Sequence, residues 1–96
     1  MRNGTTVAVG CIPRGGGGWE CSVDVRDAAG ATRHAVTVQR DDLARLEPGA
    51  VDPQRLVRRS FDFLLERERK ESILERFDLM TIGHYFPEYE RVIAGM

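Results

Sequence analysis

Apolar and polar residues alternate in three segments within residues 5–38, which predicts three β-strands. Because paired residues share a face, the alternation also predicts how the strands pair. The first hairpin should set Val7 opposite Val25, Val9 opposite Val23 and Cys11 opposite Cys21. The third strand should present His34, Val36 and Val38 inward. The prediction is a three-stranded antiparallel meander with one apolar and one polar face.

Four consecutive glycines, Gly15 to Gly18, separate the first two strands. Bare backbone amides can cradle an anion, so a phosphate-binding loop is one interpretation of this run. The Lys-Ser or Lys-Thr pair of a nucleotide loop is absent, however, and a strand follows where that motif requires a helix. We therefore predict a flexible hairpin tip, with an anion site as the alternative.

The second half of the chain changes to the period of a helix. Residues 41–46 predict a short helix that ends before Pro48. Residues 52–70 predict a long helix, with Asp52 as its cap and Pro53 at its first position. Its apolar side chains fall on one side of the cylinder: Leu56, Val57, Phe61, Phe63, Leu64 and Leu65. Such a broad stripe should pack across the apolar face of the sheet.

Residues 72–94 predict two or three short helices that fold back on the long one. Ser72 and Glu75 have the spacing of a capping box, and Asp78 offers a second cap. The core over the long helix should then be closed by four apolar side chains, Ile73, Leu74, Phe77 and Ile82. The expected fold is thus a single α+β domain over residues 1–96.

A run of packing residues in this tail resembles a known block. It includes Ser72-Ile73-Leu74, Phe77-Asp78-Leu79, Ile82 and Tyr85-Phe86-Pro87-Glu88-Tyr89. The run is similar to the C-terminal block of small uncharacterised bacterial proteins whose N-terminal half is rich in strands. The resemblance covers about a quarter of the chain. It implies no reaction, and no site residue is carried over from it.

Composition adds expectations about the compartment. Fourteen basic and fifteen acidic residues nearly balance, and all but one of the bases are arginine, which indicates a high-GC bacterial source. No apolar run approaches the roughly twenty residues of a membrane span, and no signal peptide is visible, so we expect a cytoplasmic protein without a membrane partner. Cys11 and Cys21 should then be neighbouring thiols.

Catalytic and metal chemistry find little support in the pattern. Cys11, Cys21 and His34 could share a face, and His84 would have to complete a zinc site, but the cysteines lack zinc-site spacing. No acidic residue stands within an apolar run, where its pKa would rise. We therefore expect no enzyme and no cofactor, with metal binding kept as an alternative.

DNA binding is a second alternative. Arg55, Arg58 and Arg59 lie on the outward face of the predicted long helix, and residues 73–86 resemble a helix-turn-helix. Against this, Glu66 and Lys70 are spaced to pair on that helix, and residues 71–96 carry five acids but two bases. The pattern favours a solvated face over a nucleic-acid surface.

The favoured hypothesis is a small non-catalytic protein-binding or regulatory module. The apolar side chains of the tail exceed what one small sheet and one helix can cover. The expected interaction surface is Met80, Tyr85, Phe86 and Tyr89. A protein partner or a second copy of the chain in a homodimer would cover the same excess.

Overall fold

The computed structural model describes residues 4–95 and has a four-stranded sheet. Its strands are β1 (Thr6–Pro13), β2 (Trp19–Asp27), β3 (Gly30–Val38) and β4 (Arg76–Asp78), in the order β1-β2-β3-β4. The first three are antiparallel neighbours, and β4 runs parallel to β3. The register of the first hairpin is the predicted one, with Val7 opposite Val25 and Val9 opposite Val23. That prediction is confirmed.

The predicted pairing of Cys11 with Cys21 is also confirmed, but the pair is a disulfide. The expectation of free thiols is therefore wrong. Cys11 donates its amide to Gln54 Oε1 (3.4 Å), outside the sheet, so the cysteines form a pair without ladder hydrogen bonds. Directly opposed residues of that kind approach most closely, and here the Cα atoms are 4.0 Å apart.

The tip of this hairpin is a closed turn. Arg14 donates its amide to the carbonyl of Gly18 (2.9 Å). Gly16 and Gly17 have φ angles of 96° and 94°, a region that side chains disfavour. A Cβ atom at Gly18 would meet the Val38 carbonyl oxygen at 2.7 Å. Local backbone geometry and close packing thus account for these glycines.

The predicted capping box at Ser72 and the helix after it are wrong, because residues 76–78 form a fourth strand. The residues before this strand hydrogen-bond to β3 and do not form a helix. His34 Nδ1 lies 2.8 Å from the Leu74 carbonyl oxygen, and Ala35 donates its amide to Glu75 (2.8 Å). These bonds hold the chain extended along the edge of β3, where it continues as β4.

The helices are α1 (Arg40–Leu46), α2 (Gln54–Leu65), α3 (Ile82–Tyr85) and α4 (Tyr89–Ala94), with 3₁₀ turns at Lys70–Ser72 and Leu79–Thr81. α2 is shorter at both ends than the predicted helix over 52–70. At its start, Pro53 precedes the first helical residue, while Asp52 accepts the amide of Gln54 (3.0 Å). Among residues 4–95, no helix is long and apolar enough to cross a membrane.

Lys70 shows why the helix ends early. Its side chain is 3% exposed, and Nζ donates to Asp27 (2.9 Å) and Glu71 (2.6 Å). The hydrogen bonds to Glu71 and Asp27 raise the pKa of Lys70. The predicted pairing of Lys70 with Glu66 on one helix face is therefore wrong. The lysine instead binds Asp27 at the β2–β3 turn.

The core lies between the inner face of the sheet and α2. Phe61 is fully buried at its centre, with ring centroids 5.4 Å from His34 and 6.1 Å from Phe77. Arg45 of α1 bonds Asp42 (3.0 Å) and Glu90, which ties α1 to α4. Phe61 thus joins the sheet to the C-terminal segment, residues 66–94. That segment contributes most of the candidate site.

Candidate functional site

An apolar groove of about 310 Å³ opens between the end of α2, residues 72–74, β4 and α3. Most of its lining side chains are apolar, with a few polar groups among them. The full lining is Leu64, Glu68, Ser72, Ile73, Leu74, Phe77, Thr81, Ile82, Tyr85 and Phe86. We refer to this set as the groove. Its composition is that of a binding pocket at the small end of the usual size range.

The floor of the groove belongs to the core. Leu64, Ile73 and Ile82 are buried at 3%, 6% and 3% exposure, as expected for Ile73 and Ile82. Phe77 is half-buried and is directed inward by its position in β4, opposite Val36. These side chains come from different elements, so the shape of the groove depends on the whole fold.

Asp78 fixes the turn that carries one wall of the groove. Its Oδ1 accepts from Thr37 Oγ1 (2.9 Å) and Gln39 Nε2 (3.2 Å), while Oδ2 accepts the amide of Met80 (3.1 Å). The last bond caps the 3₁₀ turn at Leu79–Thr81, so the predicted second cap is confirmed. One carboxylate therefore locks the start of the wall to β3.

Two large apolar side chains remain exposed at the rim. Leu74 is 46% exposed and Tyr85 is 66% exposed. Leu74 was expected in the core, and that expectation is wrong. The Leu74 carbonyl bonds His34 of β3, which keeps this segment extended. Neighbouring side chains of an extended segment point to opposite sides. Ile73 occupies the buried side, so Leu74 points to the surface. The groove thus has an apolar rim as well as an apolar floor.

Glu68 is the acidic residue of the groove. Burial raises the pKa of its carboxyl group, and no hydrogen bond or charge of the described residues offsets that effect. Nothing in the local sequence marks Glu68 as part of a site, because it stands in a run of charged residues, 66–71, with no apolar neighbour in the chain. Only the three-dimensional fold places it against apolar side chains.

The expected interaction surface is only partly brought together. Tyr85 and Phe86 line the groove, and Phe86 packs edge-on against Phe63 with centroids 5.9 Å apart. Met80 is half-buried and lies outside the groove lining. Tyr89 is fully buried, so its assignment to a surface is wrong.

The burial of Tyr89 has a physical reason. Its hydroxyl lies 2.6 Å from Ser60 Oγ, which in turn donates to the Leu56 carbonyl (2.8 Å). A buried tyrosine needs such a partner for its polar end. Burial raises the pKa of Tyr89 to about 12, more than the Ser60 hydrogen bond lowers it.

The arginines of the alternative nucleic-acid face are partly engaged within the protein. Arg55 and Arg59 approach Glu47 at 3.6 and 3.8 Å, and Arg59 also donates to the Ile93 carbonyl (2.7 Å). Arg58 is exposed. The helix-turn-helix interpretation of the tail is wrong, because residues 76–78 form a strand where it requires a helix.

The alternative metal ligands are not arranged as a site. The sulfurs of Cys11 and Cys21 are joined to each other. His34 lies opposite Val23, and its Nε2 contacts Thr32 Oγ1 (2.9 Å) while Nδ1 faces a carbonyl oxygen. Both ring nitrogens therefore have protein partners. Within residues 4–95, no group of three metal-binding side chains converges.

Comparison with known proteins adds no relationship. No protein-family model matches the chain, and neither the curated proteins nor the solved structures yield a match. The chemistry of the groove is therefore the basis for assigning a function. Six of its ten lining residues are purely apolar, and the polar groups are those of Glu68, Ser72, Thr81 and Tyr85. What the lining can do is bind apolar groups.

Proposed function

We propose that the protein is a small non-catalytic binding module that docks a protein partner in the groove. The observation that carries this proposal is the exposure of Leu74 (46%) and Tyr85 (66%) beside a recess of about 310 Å³. Aromatic and large apolar side chains around a pocket are the usual anchors of protein interfaces.

The dimensions suit a protein partner. About 310 Å³ is near the lower limit of pockets that enclose a whole ligand, so the recess accommodates one or two side chains. The exposed rim then contacts the chain on either side of the anchor. A partner bound in this way buries apolar surface that the monomer leaves in contact with water.

A displayed library of random peptides, selected on the purified protein, tests the proposal. We expect selected peptides whose affinity falls about tenfold in Leu74→Ala and in Tyr85→Ala, since each change removes an interface anchor. Ile12→Ala is the matched control, because Ile12 is equally exposed (66%) but lies in β1. The Ile12→Ala protein should bind the selected peptides with the same affinity as the parent.

Two results would contradict the proposal: a selection that yields no binder, or binders that the two groove substitutions leave unaffected. Sedimentation of the same variants addresses the homodimer, in which a second copy occupies the groove. A parent dimer that dissociates in Tyr85→Ala but persists in Ile12→Ala would identify the partner as another copy of this chain.

A further inference from the structure

The ionisable side chains that line the groove are acidic, whereas the charged residues around it include several bases. The lining contains two, Glu68 and Tyr85, and no basic side chain. Within the part of the chain that the structure describes, Glu68 receives neither a hydrogen bond nor an ion pair that would stabilise its charge. Burial therefore disfavours its ionised form in a recess whose lining is mostly apolar.

The nearby bases are committed elsewhere. Arg67 bonds Glu88 (3.1 Å) and lies over the ring of Phe63, 3.6 Å from its centroid. Lys70 is buried against the β2–β3 turn, and Nε of Arg69 lies 3.7 Å from Oε1 of Glu71. Arg76 lies opposite Ala35 in the sheet, so it shares the polar outer face and points away from the groove. Within residues 4–95 none of these bases pairs with Glu68, so its carboxylate is open to a cation of a partner.

We propose that the groove selects a partner segment in which a large apolar residue is flanked by lysine or arginine, with the base pairing to Glu68. This inference rests on the proposed function, and it adds the chemistry of the partner. The apolar residue fills the recess over Ile73 and Ile82. The base meets a carboxylate that is half shielded from water, where an ion pair is worth more than on an open surface.

Charge complementarity is the reason for choosing a basic segment. An acidic segment would place like charges together in apolar surroundings, and a neutral one would leave the desolvated carboxylate without a partner. The carboxylate of Glu68 thus favours a cationic segment.

The test uses two blocked pentapeptides, acetyl-Ser-Lys-Phe-Lys-Ser-amide and the same peptide with both lysines acetylated on Nε. Acetylation leaves the peptide backbone and the number of residues unchanged, adds an acetyl group to each lysine side chain and removes its charge. Each peptide is titrated into ¹⁵N-labelled parent, Glu68→Gln and Glu75→Gln protein while the amide signals of residues 64–86 are followed. Glu75→Gln is the matched control, because it removes a nearby exposed charge that does not line the groove.

We expect the parent to bind the charged peptide at least threefold more tightly than the acetylated one. That ratio should fall to about one in Glu68→Gln and persist in Glu75→Gln. Equal binding of both peptides by the parent would overturn the inference while leaving the proposed function in place. If neither peptide shifts the groove signals, the inference fails, and the library selection alone decides the proposed function.

A second measurement needs no variant. In the parent, added salt should reduce the ratio of the two affinities, because it screens the new ion pair but leaves the apolar contact. A ratio that salt does not change would count against pairing with Glu68, even if Glu68→Gln were poorly folded.

Discussion

The strand half, residues 6–38, and the C-terminal segment, residues 66–94, satisfy their backbones in different ways. The strand half is a ladder in which each strand bonds its neighbour in the chain. The C-terminal segment instead takes partners from the strand half, as at Leu74 and Glu75, which bond residues about forty positions earlier. The first region is therefore determined locally, and the second is shaped by what the first offers it.

The two regions also differ in how they use apolar surface. The inner face of β2 is fully buried over its central part, with Cys21, Val23 and Val25 all at 0% exposure. The C-terminal segment buries Ile73 and Ile82 but leaves Leu74 and Tyr85 at the surface. A segment that follows another element's edge cannot direct every apolar side chain inward. The difference explains why the candidate site lies in the second region.

Phe61→Ala should have the largest effect, because this side chain joins the two regions. Its ring contacts both His34 and Phe77 and is fully buried. We expect a loss of about 3–5 kcal/mol in the free energy of unfolding, from lost burial and the cavity left behind. Urea unfolding followed by Trp19 fluorescence and by far-ultraviolet circular dichroism measures it.

The same experiment examines the comparison itself. If the regions form one cooperative unit, both signals of the parent change in a single transition. Separate transitions would instead mean that the C-terminal segment is only loosely attached. Ile12→Ala, at an exposed position of β1, is the control and should change stability by no more than about 0.5 kcal/mol.

Reduction of the Cys11–Cys21 bond should have the next largest effect, and it acts on the strand half. The bond closes a loop with a sequence separation of 10. In the chain-entropy description, a loop of that length contributes about 3 kcal/mol by restricting the unfolded chain. Unfolding of the parent with and without reductant measures the loss.

A double variant, Cys11→Ala with Cys21→Ala, is the control for the reductant. Its stability should be the same with and without reductant. Since β3 lies between the disulfide and β4, amide signals of residues 72–86 should keep their positions in the reduced parent. Large shifts there would show that the second region depends on the first through this hairpin, and not through the edge of β3.

The sequence predicts the strand half of the fold better than the C-terminal segment. Alternation over 5–38 was enough for the strands and their register, because neighbouring strands pair locally. Nothing local marks β4, whose three residues are too few for a periodic signal. Glu, Arg and Lys form helices readily, so the sequence predicts a helix that continues to Lys70. The partner that overrides this tendency, Asp27, lies in a distant turn and leaves no local signal. Glu68 gives no local signal either, because most of the apolar side chains near it come from later in the chain.

Asp78→Ala should have a moderate effect, because it weakens the attachment of the second region to β3. It removes bonds to Thr37, Gln39 and the Met80 amide. Loss of a cap and of charged hydrogen bonds should cost about 1–2 kcal/mol. Urea unfolding measures the cost, and Asp41→Ala, at an exposed position in the first turn of α1, is the control. An equal loss in both variants would mean that Asp78 acts only through general charge.

Tyr89→Phe should have the smallest effect, and it separates the buried tyrosine from the exposed Tyr85. Removing the hydroxyl leaves Ser60 without one partner, at a cost of about 1 kcal/mol near neutral pH. The hydroxyl has a pKa of about 12 in the folded protein against 10.0 for the free group. Its contribution is therefore complete below pH 10, and the parent loses it as the pH rises from 10 toward 12, because the unfolded chain then releases the proton first.

The Tyr85→Phe background isolates this titration, since the chain has two tyrosines. Tyrosinate absorbance should then rise with a midpoint near pH 12 in the folded protein, and the stability advantage over the Tyr85→Phe, Tyr89→Phe double variant should shrink between pH 10 and 12. A midpoint near pH 10 in a protein that is still folded would place the Tyr89 hydroxyl in water. Tyr89 would then belong with Tyr85 and Phe86 on the binding surface, and the second region would bury less of its apolar surface than the fold implies.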